Sequence, residues 1–145
     1  MQTISFFEIK DFSEDILESL NSLLPQLSTT ANPLTEEALK AIISSSSSHL
    51  YALSVDGQIA AMCTLATYLA PTGRKAWIED VVVDNQFRGK HLGKLIVEKT
   101  IEETKQYAPC SLMLTSRPAR VAANKLYKSV GFEQRETNVY RIKIY

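Results

Sequence analysis

The stretch VVVDNQFRGKHLGKLIVEKT, Val81 to Thr100, constrains the fold more than any other part of the chain. Three β-branched residues run into Asp84-Asn85, Gly89 and Gly93 follow, and an apolar pattern of helical period begins at Leu92. A strand therefore feeds a helix through a glycine-containing turn. The next run of strand character is Cys110 to Thr115, which makes the unit β-α-β. Such a unit calls for a crossover and a parallel strand pair. The turn also gathers Arg88, Lys90, His91 and Lys94 and holds two of the chain's five glycines.

The rest of the chain fits round this unit. Ile4–Ile9 reads as a first strand. Ser13-Glu14-Asp15 reads as a helix start, with a capping hydroxyl and acids in the first turn. Ile16, Leu17, Leu20, Leu23 and Leu24 then give a helical stripe that Pro25 is expected to end. Thr35-Glu36-Glu37 opens a second helix, with Ser44 to Ser48 as its end. His49–Val55 and Gln58–Leu69 read as strands joined by Asp56-Gly57, a hairpin signal. Pro71-Thr72-Gly73 turns into the strand KAWIEDVVV. Leu92–Tyr107 is expected as a helix with Leu92, Leu95, Ile96 and Ile101 inward. Ala119, Ala122, Ala123, Leu126, Tyr127 and Val130 form another helical stripe, which Gly131 caps. NVYRIKIY is expected to close the chain as a strand. The order β-α-α-β-β-β-α-β-α-β, with one more short strand as an option, implies an α/β fold with a mixed sheet and helices on both faces.

A chain of 145 residues fits one domain, residues 1–145. Its formal net charge is +0, so no global field draws in nucleic acid or an anionic membrane. The cluster at Arg88–Lys94 is then a local feature. No basic region followed by an apolar core opens the chain, and Ile59–Ala70 is too short to span a bilayer. Cys63 and Cys110 read as small buried hydrophobes of a reducing compartment. With two histidines and no CxxC, no metal site is expected. The expected location is the cytoplasm.

The turn has a physical reading. The first amides of the helix that starts at Leu92 lack internal partners, and with the helix dipole they form an anion site. Gly89 and Gly93 let backbone amides come close to a ligand. Arg88, Lys90 and Lys94 add positive charge. The competing reading makes Gly89 only a left-handed turn and Gly93 a close-packing residue.

At this point the sequence resembles the GNAT acetyltransferases. VVVDNQFRGKHLGKLIVE is similar to their pyrophosphate-binding segment, Q/R-x-x-G-x-G/A, with Arg88 first, Gly93 last and His91 where the middle glycine usually stands. AANKLYKSVGF resembles the family's C-terminal helix, which carries Leu-Tyr and ends in Gly-Phe. WIEDVVV is locally similar to the matching strand of glucosamine 6-phosphate acetyltransferases. The resemblance implies the GNAT fold, acetyl-CoA as co-substrate, and an enzyme that moves an acetyl group directly to an amine. It implies that Val81, Val82 and Val83 bond the pantetheine arm through their backbone. Arg88, Gly89, Lys90, His91, Leu92, Gly93 and Lys94 would hold the pyrophosphate. A protonated His91 imidazole would help beside the phosphates. In the family an asparagine often stands seven residues before the helix tyrosine. Here that place holds Arg120, so the role does not carry over, and Asn124 is taken to face the cofactor.

Two residues are taken as catalytic. An alkyl amine of pKa about 10.4 attacks only when neutral, so a carboxylate that accepts its proton is needed. In a regular strand Glu79 and Asp80 point to opposite faces, so they cannot share one cavity. Glu79 is taken as the base, against a paired structural role, and Asp80 as structural. Tyr127, where the resemblance puts a tyrosine near the thioester sulfur, is taken to stabilise the departing thiolate. The acceptor, a small-molecule or peptide amine, carries no motif, and pairing of two copies of the chain is a further expectation. The alternative from another class is a catalytically silent acyl-CoA-binding sensor or interaction domain.

Overall fold

Helix starts in this chain are written in single side chains. Ser13 Oγ accepts the Ile16 amide at 3.1 Å and opens α1 (Glu14–Leu27). Thr35 Oγ1 accepts the Ala38 amide at 3.1 Å and opens α2 (Glu36–Ser44). Each cap satisfies an orphan donor, and acids in both first turns suit the dipole. In the computed structural model, which describes residues 2–145, these helices follow β1 (Ile4–Glu8). Then come β2 (Ser48–Val55), β3 (Gln58–Ala70) and β4 (Gly73–Val83). A 3-10 turn at Asn85–Phe87 leads to α3 (Leu92–Thr104), and a second at Lys105–Tyr107 leads to β5 (Cys110–Met113). The last helix is α4 (Val121–Ser129).

The strands form one mixed sheet in the order β1-β2-β3-β4-β5, with β4–β5 its parallel pair. Asp56 and Gly57 have φ of 50° and 84°, the two left-handed positions that a tight β2–β3 hairpin needs. On one face Leu50, Ala52, Met62 and Val82 pack with Ile9, Leu20, Leu23 and Leu39, so α1 and α2 cover it. On the other, Leu53, Cys63, Leu65 and Ile78 are buried where α3 brings Leu92, Ile96, Val97 and Thr100. Burial of such side chains contributes about 1.5–3 kcal/mol each before conformational entropy opposes it.

Two expectations are corrected. Pro25 does not end α1, which runs on to Leu27. The proline removes one i→i−4 bond, and the helix continues past it, with the Ser28 amide bonding Leu24 O at 3.0 Å. The closing strand over residues 138–145 belongs to no ladder. Its alternation is that of a strand, but pattern alone supplies no hydrogen-bond partner.

The chain divides into two compact units, Met1–Thr115 with the sheet and α1–α3, and Ser116–Tyr145 with α4. Among the described residues no helix is long and apolar enough to cross a membrane. Nor is there among them a group of three or more His, Cys, Asp or Glu placed to hold a metal ion.

Candidate active site

Strand β4 is irregular where its two acids stand. Met62 pairs with Val82 but Thr64 pairs with Glu79, so Asp80 and Val81 together oppose Cys63. This is a β-bulge. Asp80 carries it with φ of 55°, a left-handed conformation that aspartate tolerates better than most residues. The bulge overturns the alternation expected for a regular strand. Glu79 stands opposite Thr64, and cross-strand partners share a face. Asp80 and Thr64 line one recess together with Leu20, Leu24, Leu34, Ile42, Leu50 and Met62. Both carboxylates therefore lie on the side that α1 and α2 cover. Glu79 remains exposed, and partial loss of water on this face pushes its carboxyl above the ordinary 4.5, with the neighbouring Asp80 charge adding to the effect. A carboxylate so raised is a stronger proton acceptor.

The same strand outruns its neighbour. β5 pairs with β4 only from Arg74↔Cys110 to Trp77↔Met113. Beyond Trp77, residues Ile78–Val83 carry on with no β5 residue opposite them. The backbone groups on that edge of β4 have no strand partner on the β5 side. Val82 is buried, and Val81 and Val83 are half-buried. From Asp80 to Val83 this edge runs about 10 Å at roughly 3.3 Å per residue, and it leads into the glycine turn.

The turn is held from below. Asp84 is buried, and its Oδ1 accepts the Gln86 amide at 3.0 Å. Gln26 of α1 accepts the Asn85 amide at 2.8 Å and reaches Asp84 Oδ1 at 3.5 Å. Gly89 has φ of 83°, and an added Cβ there would meet nothing within 4 Å. Its glycine answers to backbone conformation and not to crowding. His91 has φ of 60° and is the residue before α3. Helix α3 thus begins on a left-handed residue with no side-chain cap and no acid in its first turn, unlike α1 and α2. The amides of Leu92, Gly93 and Lys94 have no acceptor inside the helix. Arg88, Lys90, His91 and Lys94 are all exposed around this end. Lys90 Nζ lies 5.6 Å from the centre of the Phe87 ring and donates to Gln2 Oε1 at 3.3 Å. A shallow concavity lined by Lys90, His91, Lys94, Leu95 and Glu98 lies on this helix surface. These features fit a pyrophosphate: uncapped amides, the positive end of a dipole, and cations with no local anion in the first turn.

The remaining predicted residues lie in the second unit. Tyr127 is buried, with its ring 6.1 Å from that of Phe132 at an interplanar angle of 77°. Asn124 Nδ2 donates to Arg117 O at 3.0 Å, so its amide ties the loop before α4.

A family model described as the acetyltransferase (GNAT) family matches residues 14–132. The chain belongs to this family. Acetyl-CoA is the donor that GNAT acetyltransferases use. The glucosamine 6-phosphate N-acetyltransferase 1 of Oryza sativa subsp. japonica is 28% identical over 142 residues, covering 91% of this chain and 81% of that protein. The glucosamine 6-phosphate N-acetyltransferase of Arabidopsis thaliana is 35% identical over 107 residues, covering 68% and 69%. A putative acetyltransferase from Agrobacterium tumefaciens str. C58 shares the fold, with a TM-score of 0.82 at 22% identity over 96% and 99% of the two chains.

The strand edge, the glycine turn and the uncapped helix follow one another along the chain from Ile78 to Lys94. Sequence reasoning missed Gln26 and the bulge. Nothing marks Gln26, whose partner is 59 positions away. An aspartate directly after a strand residue of the same charge was the available hint for the bulge, since aspartate is among the few residues that accept left-handed φ.

Proposed function

We propose that this chain is an acetyl-CoA-dependent N-acetyltransferase that passes the acetyl group directly from the CoA thioester to a primary amine. The observation that carries the reading is the run of β4 past the end of β5 at Met113, with the bulged carboxylates at one end of the unpaired edge and the uncapped glycine turn at the other. Backbone groups of Val81, Val82 and Val83 hold the pantetheine arm. Arg88, the amides from Gly89 to Lys94, and the side chains of Lys90, His91 and Lys94 hold the pyrophosphate.

Glu79 takes a proton from the acceptor's ammonium, directly or through water, which leaves a neutral amine to attack the thioester carbonyl. The C–N bond forms, the C–S bond breaks, sulfur leaves as the thiolate, and the nitrogen's second excess proton passes to solvent as the amide forms. The Tyr127 hydroxyl donates a hydrogen bond to that thiolate; full proton transfer would be uphill, because an ordinary tyrosine near 10 is a weaker acid than a thiol near 8.5. The half-exposed Cys110 and buried Cys63 have no part in this direct transfer.

The acceptor class is a small amine. The names of the rice and Arabidopsis relatives make a phosphorylated amino sugar the first to try. The experiment is CoA release, followed with a thiol reagent, across glucosamine 6-phosphate, other amino sugars, polyamines, aminoglycosides and peptide N-termini. Turnover with one class and acetylated product by mass spectrometry are expected. Tight acetyl-CoA binding with no turnover in any class would instead favour the silent acyl-CoA-binding domain.

A further inference from the structure

Helices α1 and α2 do not close fully over the sheet, and a recess of about 70 Å³ stays between them. Leu20 and Leu24 of α1, Leu34 of the connecting segment and Ile42 of α2 form its walls, with Leu50 and Met62 of the sheet beneath. Leu24, Leu34 and Ile42 are half-buried, so the recess shows apolar side chains to solvent. Thr64 and Asp80 complete the lining, and no cation is among these described residues. One wall is fixed by a double clamp. Asn21 Nδ2 donates to Leu34 O at 2.9 Å, and Asn21 Oδ1 accepts the Leu34 amide at 2.7 Å. A loop residue is thereby held on the rigid frame of α1.

We propose that the acceptor is a primary amine with a short, uncharged alkyl group, which this recess takes, and that Leu34, positioned by Asn21, sets the length limit. The inference rests on the acetyltransferase reading above. Three observations support it. First, the recess opens at the reactive end. Thr64 pairs across the strands with Glu79, and Asp80 follows Glu79 in the bulge. An amine that gives its proton to Glu79 therefore has its carbon chain beside the leucines. Second, the charge is selective. An anionic group in the recess would lose water, meet no cation and face Asp80, whereas an alkyl group loses nothing by entering. Third, the size sets a class. An apolar cavity of about 150 Å³ takes a benzene ring, so about 70 Å³ takes roughly three or four carbons.

Two arms test it on the full chain. In the first, kcat/KM is measured with methylamine, ethylamine, propylamine, butylamine, isobutylamine and hexylamine, and with glucosamine 6-phosphate beside them. It is expected to rise about fourfold per buried methylene, the equivalent of about 0.8 kcal/mol, and to stop rising beyond butylamine. Leu34→Ala is expected to move the optimum to hexylamine. Asn21→Ala is expected to blunt the dependence on chain length, whereas a merely structural Asn21 would lower every rate alike. The second arm needs no turnover. Isobutylamine titrated into methyl-labelled wild type is expected to shift the NMR signals of Leu20, Leu24, Leu34 and Ile42 and to leave those of Leu53, on the other face of the sheet. The wild-type series and the titration stand even where a variant fails to fold. Turnover without dependence on chain length, an optimum that Leu34→Ala leaves in place, glucosamine 6-phosphate turned over faster than butylamine, or no methyl shift at the recess would each overturn the inference. Methyl shifts at the recess with no turnover of any amine would instead overturn the acetyltransferase reading and keep the recess as an alkylamine site.

Discussion

Replacing Glu79 by Gln keeps the side chain's shape and removes its charge. At pH 7.4 an acceptor amine of pKa about 10.4 is neutral in roughly one molecule per thousand, about 4 kcal/mol away from its attacking form. Without the base only that fraction reacts, so the loss is bounded near 10³ for such an acceptor, within the usual 10² to 10⁴ for general bases. Each unit of pH above neutrality then restores about tenfold, because solvent does the work of Glu79. A second variant uses the bulge. Asp80→Asn keeps the side chain's size and its tolerance of a left-handed backbone and removes a charge beside Glu79. Desolvation still holds the Glu79 carboxyl above 4.5, but the Asp80 contribution is gone. The acid limb of kcat/KM therefore moves to lower pH while the plateau rate survives. The assay is CoA release from about pH 5 to 10 with one accepted amine. A Glu79→Gln enzyme as fast as wild type, or one whose deficit does not narrow as pH rises, would refute the assignment.

Other outcomes follow from the same geometry. Arg88→Glu should weaken acetyl-CoA at least tenfold, about 1.4 kcal/mol, and Gly93→Val should do likewise by crowding the exposed amides; calorimetry on folded variants reads both. Tyr127→Phe should fold normally and lose roughly 10² to 10³ in rate, less with an acyl donor whose thiol leaves more readily. Glu79→Gln should raise the melting temperature at pH 7. The raised carboxyl pKa means ionisation costs the folded state more than the unfolded one, so stability is fully present below the unfolded pKa and lost as pH rises through the folded one. The gain should vanish near pH 3, where Glu79 is protonated in the wild type. Leu23→Ala, at a fully buried position of α1, should cost about 2–5 kcal/mol in urea unfolding.

Local chemistry made much of this fold legible. Ser13 and Thr35 announce helices because a hydroxyl before an acidic turn has one good use, and Asp56-Gly57 announces a hairpin because its φ values suit few other pairs. The glycine turn was legible for the same reason. Gly89 and His91 both take left-handed φ, which explains why a glycine usually stands where His91 does. The bulge at Asp80 was not legible. Period-two alternation assumes one residue per step, and a single inserted residue turns Glu79 and Asp80 toward the same helices. Pro25 misled because it removes only one bond of the ladder, which resumes at Ser28 N–Leu24 O. The final strand misled because Tyr140, Ile142 and Ile144 encode a face and say nothing of which edge they join.

In the proposed function the turn from Arg88 to Lys94 seats a pyrophosphate while the free edge of β4 takes the pantetheine arm. Calorimetric titration of the wild type with acetyl-CoA and with S-acetyl-pantetheine, which lacks the pyrophosphate, tests it most directly. Clear heat and saturable binding are expected for acetyl-CoA, affinity at least about tenfold lower for S-acetyl-pantetheine, and a difference that shrinks as salt is raised. Equal affinity for the two, or no binding of acetyl-CoA at all, would contradict it.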